Sequence, residues 1–404
     1  MKIELSAEAF EDSPTTVMSI DFDRSVWGSD AQEAWIALRE AGPVLWAQSR
    51  LAVATSGKAV EEALHDPGIF SSNPNAAYFG SDTGAIPLQI DPPDHSRFRK
   101  MLDPMFSPKR MLAKEAEVAE VANRLIDRFI ARGSVDFSHE FAVPFPSEVF
   151  LQLMGLPYDE LEQFLHVKEE LIRPTGPDEE ARLKSQEQAG GWIFNYVNAA
   201  MEERKQHQTD DMLGYFSQLE DEGRLSREEI LNICVLFIPA GLDTVTDTLE
   251  CSYIYLARHP EKRKEIVDDP ELIGRAIEEL LRYESPVPIV NRIAMRDTEL
   301  DGCPVAKDTR VRVMLAIANH DPANHPEPET VDFHRVGNPH IAFGGGVHRC
   351  VGSHLARLEL RVALREWHRR IPDYRIPEGA ELRYRSSLRE IDNLSLEFPP
   401  GEPG

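Results

Sequence analysis

The stretch Ile341-Ala-Phe-Gly-Gly-Gly-Val-His-Arg-Cys-Val-Gly-Ser-His-Leu-Ala-Arg-Leu-Glu-Leu360 decides how this chain is read. Four glycines and one cysteine stand between an apolar lead-in and an amphipathic segment. The loop has little side-chain volume, so its backbone can approach a large flat object or take positive φ. Leu355, Leu358, Val362 and Leu364 form the apolar stripe of a helix expected over residues 351–369. A cysteine at such a helix start has its thiolate favoured by backbone N–H groups and the positive helix end. Cys350 is therefore a candidate anionic metal ligand. A phosphate cradle is excluded in detail, because no Gly-Lys-Ser/Thr follows the glycines. A zinc site on His348, Cys350 and His354 lacks a fourth ligand at a paired spacing. A buried, inert cysteine stays open on the residues alone.

A second landmark runs from Ser226 to about His259. Ser226 with Glu229 three residues later is a capping box, and Pro260 closes the other end. The segment is apolar almost all round through Ile233–Ile238, which implies a central buried helix. Pro239 inside it cannot donate to the carbonyl of Val235, so a bend is expected there. Ala240-Gly241-Leu242-Asp243-Thr244 follows. An acid and a hydroxyl in a buried helix need partners. Thr244 can bond back to Ala240 while Asp243 meets a neighbouring arginine, or the two can line a polar notch beside a ligand.

The 404 residues contain no linker or repeat that divides them. A net charge of −25 argues against nucleic acid or an anionic membrane as a primary partner. The longest apolar run, around residues 233–241, is far too short to span a bilayer, and residues 1–10 carry no signal-peptide pattern. Four cysteines in a chain of this length make no disulfide scaffold. A soluble, cytoplasmic protein is the expectation.

In order along the chain, a helix over 31–41 precedes a hairpin of Val44–Ala47 with Leu51–Thr55, then a helix over 57–65. Phe70 to Ile90 reads as a long loop. Pro92-Pro93 opens a helix that puts His95 and Arg99 on one face. Helices near 110–132, 143–153, 158–172, 180–206 and 209–218 follow, then 261–269 and 271–283, the last containing Glu279-Leu-Leu-Arg282. Residues 286–339 read as strands and turns, with alternation over Arg310–Ile317. Residues 361–404 hold a helix end, a polar hairpin region near 381–396 and a Pro/Gly tail.

Phe343-Gly-Gly-Gly-Val-His-Arg-Cys-Val-Gly352 resembles the haem-binding signature of the cytochrome P450 superfamily, at Phe343, Gly344, Gly346, His348, Cys350 and Gly352. The resemblance implies a mainly α fold with a smaller β region, a triangular prism of helices around one haem b. It also implies a single domain over 1–404, β-rich at 43–56 and 287–317, and helical at 93–284 and 351–369. Cys350 would be the iron ligand, inside a cofactor-binding set of Phe343, Gly344, Gly352 and Ala240. His95, Arg99, Arg292 and His348 would meet the propionates. Asp243 and Thr244 match the acid–alcohol pair of oxygen activation, with Val245 where a second threonine is frequent. Glu279, Arg282 and Arg335 would form the buried triad that holds the loop under the haem. His320 departs from the more usual arginine and leaves its local network open. Tyr78, Phe79, Ile86, Leu88, Leu236, Ala240, Pro288 and Val290 are the substrate-pocket candidates, and a turn around Ser386–Leu388 can join them. The Pro/Gly joint at 172–180 would let two lid helices move.

The implied activity is insertion of one atom of O2 into an apolar terpenoid, steroid or lipid-like molecule by a monomer. The chain carries no flavin, nicotinamide or iron–sulfur motif, so electrons would come from a ferredoxin and its NAD(P)H-dependent reductase. They would dock near Arg99-Lys100, Lys109-Arg110 and Arg349. Two rival readings are a peroxide-driven haem peroxygenase, whose members replace the acid–alcohol pair, and a non-catalytic haem sensor or carrier.

Overall fold

The apolar run after Ser226 forms a helix of 32 residues, Arg227–Arg258. Its start is fixed reciprocally: Ser226 Oγ accepts from the Glu229 N–H and Glu229 Oε2 accepts from the Ser226 N–H. Most of its residues from Ile230 to Leu256 are buried, and a helix buried all round has to sit at the centre of its fold. In this computed structural model the helices Pro144–Met154, Leu161–Ile172, Glu179–Gln206, Ile273–Glu284 and Ser353–Arg370 pack against it. Gly241 permits the closest of these approaches, since a Cβ there would lie 2.5–2.6 Å from the ring of Phe150. Among the described residues this is the one helix long and apolar enough to cross a membrane, and it is mostly buried in the core. It continues through Pro239.

The structure describes residues 5–6, 17–18, 28–29, 31–48, 50–76, 85–207, 209–385 and 388–404. Tyr78, Phe79, Ser386 and Ser387 fall outside them. The protein is 57% helix and 10% strand, which is the mainly α fold with a smaller β region expected from the sequence. One sheet has the spatial order Leu5–Ser6, Val17–Met18, Val44–Gln48, Leu51–Ala54, Arg310–Met314, Ile289–Ala294, Phe70–Ser71. Arg310–Met314 lies parallel to Leu51–Ala54 and antiparallel to Ile289–Ala294, with Val311 opposite Arg292. Ser134–Asp136 pairs with Ser395–Glu397, and Thr298–Leu300 with Cys303–Val305.

The helix expected near 110–132 is broken into Pro108–Leu112 and Glu115–Asp127, the one expected over 209–218 is Met212–Asp221, and two boundaries flanking the site differ as well. The strand expected over Arg310–Ile317 stops at Met314, and Leu315–Asn319 is helical. Residues 313–318 are all buried, and continuous burial fits either element, so periodicity could not place the switch. The helix after the cysteine begins at Ser353, not at 351.

Candidate functional site

The loop of Cys350 is held by backbone geometry and by charge. Gly344 and Gly346 have φ of 68° and 61°, and a Cβ on Gly346 would overlap the carbonyl oxygen of Leu64. Only glycine meets both demands at 346. The Cys350 N–H donates to the Phe343 carbonyl at 2.8 Å, closing the loop. Phe343 is pinned by the Arg357 guanidinium, 4.4 Å from its ring centre. Arg357 donates twice to Glu278 at 2.7 Å, and His340 Nε2 lies 2.9 Å from the same carboxylate. Burial alone would raise the Glu278 carboxyl, but the bonds from Arg357 and His340 outweigh it and bring it down to about 2.

Behind the loop, Arg282 donates twice to Glu279 at 2.8 Å and Arg335 Nε reaches both of its oxygens at 3.1 and 3.2 Å. Glu279 and Arg282 are buried, so this is the triad expected from the sequence. It reaches the loop through Asn338 Nδ2, 3.1 Å from Glu279 Oε2. It also does so through Asn319, whose carbonyl accepts from Arg282 and whose side chain accepts from the Ile341 N–H. His320 takes its place as a neutral ring between Trp35 and Tyr283, pushed down to about 3 chiefly by burial. Arg39 bonds its carbonyl from the first helix.

Cys350 has exposed surface, yet so much protein surrounds it that burial pushes its thiol up, against the Gly352 N–H and the charges of Arg99, Arg349 and Arg357. The helix starts three residues too late to reverse that. Exposed surface on a deeply enclosed residue means that Cys350 faces an internal space. The central helix shows the same feature. Midway along it Ala240 is exposed between half-buried Pro239 and Gly241, and Leu236 and Thr244 are half-buried as well. Leu236, Ala240 and Thr244 recur every four residues and so share one face.

Of the residues expected to hold carboxylates, His95, His348 and Arg292 are deep in the protein. His95 Nε2 and His348 Nε2 are buried with no hydrogen-bond partner among the described residues. Their rings lie 4.5 Å apart, and His348 Nε2 is 3.6 Å from Asp91 Oδ1, too long for a hydrogen bond. Burial, then the charges of His348 and Arg99, hold His95 down to about 4. Burial holds Arg292 down to about 10, with Asp91 alone opposing it. Orphaned donors and a desolvated guanidinium beside a single carboxylate suit a further anionic group, as the paired propionates of a haem would be. Arg99 bonds Asp103 through Nε and the carbonyls of Val347 and Arg349 through Nη1, clamping the cysteine loop.

On the other side Thr244 Oγ1 donates to the Ala240 carbonyl at 3.1 Å. Asp243 is buried and meets a lysine, where the sequence suggested an arginine. Lys168 Nζ lies 2.5 Å from Asp243 Oδ1 and 2.9 Å from Glu169 Oε1. Burial disfavours the Lys168 ammonium, but these carboxylates outweigh it and its pKa is raised. Arg173 joins Glu169 to Glu390, so the network ties the helix Leu161–Ile172 to the central helix and the C-terminal segment. Lys168, Glu169, Arg173 and Glu390 are not among the site residues expected from the sequence. The available signal was Lys168 on the same stripe as Phe164 and Leu171, where a buried lysine demands an acid. Among the pocket candidates Ile86 and Pro288 are buried, while Leu88, Leu236 and Val290 are half-buried. Ile86 and Leu236 belong to the main core and Val290 packs on the sheet core.

The pattern of the family described as Cytochrome P450 matches residues 137–367. A probable cytochrome P450 127A1 of Sinorhizobium fredii is 36% identical over 349 residues, 85% of this chain and 82% of that protein. A steroid C26-monooxygenase of Mycobacterium tuberculosis is 30% identical over 381 residues, 93% of this chain and 95% of that one. Among solved structures, CYP109E1 from Bacillus megaterium in complex with testosterone superposes with a TM-score of 0.84 at 26% identity, covering 90% and 97% of the two chains. A family match across more than half the chain, together with an enclosed cysteine and orphaned donors, leaves one conclusion. This chain belongs to the cytochrome P450 family and is an oxidoreductase of the monooxygenase type, acting on small apolar molecules with a haem cofactor.

Proposed function

We propose that the chain hydroxylates a terpenoid, steroid or lipid-like substrate, with electrons from a ferredoxin and its NAD(P)H-dependent reductase. The observation that carries this reading is the pair of enclosed but accessible surfaces, Cys350 on one loop and Leu236–Ala240–Thr244 on the central helix. The haem supplies the oxygen chemistry, with the thiolate ligand pushing electron density onto the iron. Cys350 binds the metal, Phe343, Gly344 and Gly352 shape the loop, and Ala240 leaves room for the macrocycle. His95, His348 and Arg292 donate to its carboxylates, while Arg99 steadies the loop and lends its charge. Thr244 and Asp243 hold and pass protons. Ile86, Leu88, Leu236, Pro288 and Val290 supply apolar wall, and Tyr78 and Phe79 remain candidates for it from the sequence. The chain works as one domain, as a monomer, in the cytoplasm.

A steroid-sized ligand is supported by the activities and ligands of relatives: the steroid C26-monooxygenase, a vitamin D3 dihydroxylase of Streptomyces griseolus 32% identical over 318 residues, and the testosterone complex. Reduction under carbon monoxide should give the strongly red-shifted Soret band, and Cys350→Ala should abolish it. Testosterone should convert the resting spectrum from low to high spin. An unshifted carbonyl band in the haem-loaded wild type would overturn thiolate ligation. Absence of any spin shift across a panel of steroids, terpenoids and fatty acids would overturn the substrate class.

A further inference from the structure

Three carboxyl groups run along one face of the central helix, at Asp243, Asp247 and Glu250, spaced by four and three residues. All are buried, with Asp247 at 0% exposure. Asp243 Oδ1 is taken by Lys168, while Asp243 Oδ2 and both oxygens of Asp247 have no hydrogen-bond partner among the described residues. Glu250 Oε2 accepts from the Ile391 N–H at 3.1 Å. Glu390, one residue before Ile391, is 15% exposed and is held by Arg173. Around Asp247 stand Asp243 and Glu250 from its own helix, Glu390 from the C-terminal segment and Lys168 from Leu161–Ile172. Three acids thus face it with one ammonium.

A charged carboxylate without a hydrogen bond is not tolerated in such a place. Burial first, and then the carboxylates of Asp243, Glu390 and Glu250, push the Asp247 carboxyl well above its ordinary range, so it stands as a neutral acid. Its polar atoms bond nothing among the described residues, so packing alone gives no reason for an acid at this position. Its neighbour Asp243 needs protons, because inserting one atom of O2 and releasing the other as water consumes two protons per turnover. Asp243 Oδ1 is taken by Lys168, which leaves Oδ2 as the atom that can receive a proton.

We propose that Asp247 is the proton reservoir for Asp243. The two carboxyls make no hydrogen bond with each other, so a side-chain rotation carries the Asp247 O–H to Asp243 Oδ2, one helical turn away, and the carboxylate left behind is favoured by the Lys168 charge. A proton entering through Glu390 and Glu250 restores the acid. Only a proton moves, and no atom changes oxidation state. The inference rests on the reading of Asp243 and Thr244 as the proton-handling pair.

The test uses haem-loaded wild type, Asp247→Asn and Asp247→Glu. Infrared spectra at neutral pH read the C=O stretch of a protonated carboxyl. Reduced ferredoxin and dissolved O2 read oxygen reduction to water, its pH profile and its solvent deuterium isotope effect. D247N should keep the wild-type carbon monoxide spectrum, lose the carboxyl band, reduce oxygen to water on the order of a hundredfold more slowly and show a larger isotope effect. D247E should restore the band and most of the rate. The proposal is overturned if D247N keeps the wild-type pH profile and isotope effect, even when it is less stable. It is equally overturned if wild type has no carboxyl band that D247N lacks. Should D247N fail to load haem, wild type and D247E decide: the proposal is sustained if D247E keeps a carboxyl band but shifts both its frequency and the pH profile, and any other outcome overturns it. Failure of the parent reading looks different, because Asp243→Asn then keeps the wild-type rate, pH profile and isotope effect whatever Asp247 does.

Discussion

Glu250 shows how one buried side chain shapes the pH response. Its carboxyl is pushed up to about 8, by burial first and by Glu390 and Asp392, against the hydrogen bonds from Ser138 and the Ile391 N–H. A folded value above the unfolded one means that the folded state holds the proton more tightly. The stability this contributes is present below the ordinary glutamate range and is lost as pH rises toward 8. Glu250→Gln, whose amide oxygen can still accept from Ile391, should therefore match wild type in acid and be more stable than it near pH 8. Urea unfolding at the two pH values checks this, and a variant no more stable at the higher pH would contradict it. Glu278 acts with the opposite sign. Held down to about 2, it contributes stability above the ordinary glutamate range that is lost as pH falls toward that value. Glu278→Gln should flatten the acid limb of the stability profile. Neither group was legible beforehand. Glu250 looks like any acid on a long helix, and Glu278 gains its meaning only from Arg357, which lies 79 residues later.

Between elements, ion pairs do work that apolar packing leaves undone. Lys168 joins the helix Leu161–Ile172 to the central helix with both side chains nearly inaccessible, 7% and 5% exposed. Lys168→Met leaves Asp243 buried without its counter-charge, and loss of one partner of a buried pair costs about 3–5 kcal/mol. Adding Asp243→Asn should recover part of that loss, because the orphaned charge is gone. Denaturant unfolding of the single and double variants reads both, and additive losses would show that the two residues are not coupled. Glu279 does the same for the cysteine loop. Glu279→Ala strands Arg282 and Arg335 and releases Asn338, so the purified variant should lack haem, read from its Soret absorbance relative to protein. A fully loaded, stable E279A would contradict the role assigned to the triad. Unlike Lys168, this triad was readable in advance, because Glu-x-x-Arg lies within one helix and the later Arg335 follows the family's order.

For the whole molecule, the net charge of −25 and the cationic rim near Cys350 act on different length scales. Lys100, Lys109 and Arg349 are exposed, and a local patch can steer an acidic ferredoxin against an overall repulsion. At 0.1 M salt charges are screened over about 10 Å, so the reduction rate by ferredoxin should fall as ionic strength rises, and more gently in Arg349→Ala. A rate independent of salt would rule out electrostatic docking. The sequence by itself determined the cysteine loop, the capped central helix and the mainly α character, because each depends on residue types at short, fixed separations. Turn glycines, a capping box and apolar periodicity all act within a few residues of one another. Tertiary structure alone decided that Lys168 answers Asp243, that Arg357 and Glu278 pin Phe343, and that Asp247 is sealed without a partner. Those depend on which distant segments share a dielectric boundary, and burial, not residue type, sets whether a carboxyl is a surface charge or a buried acid.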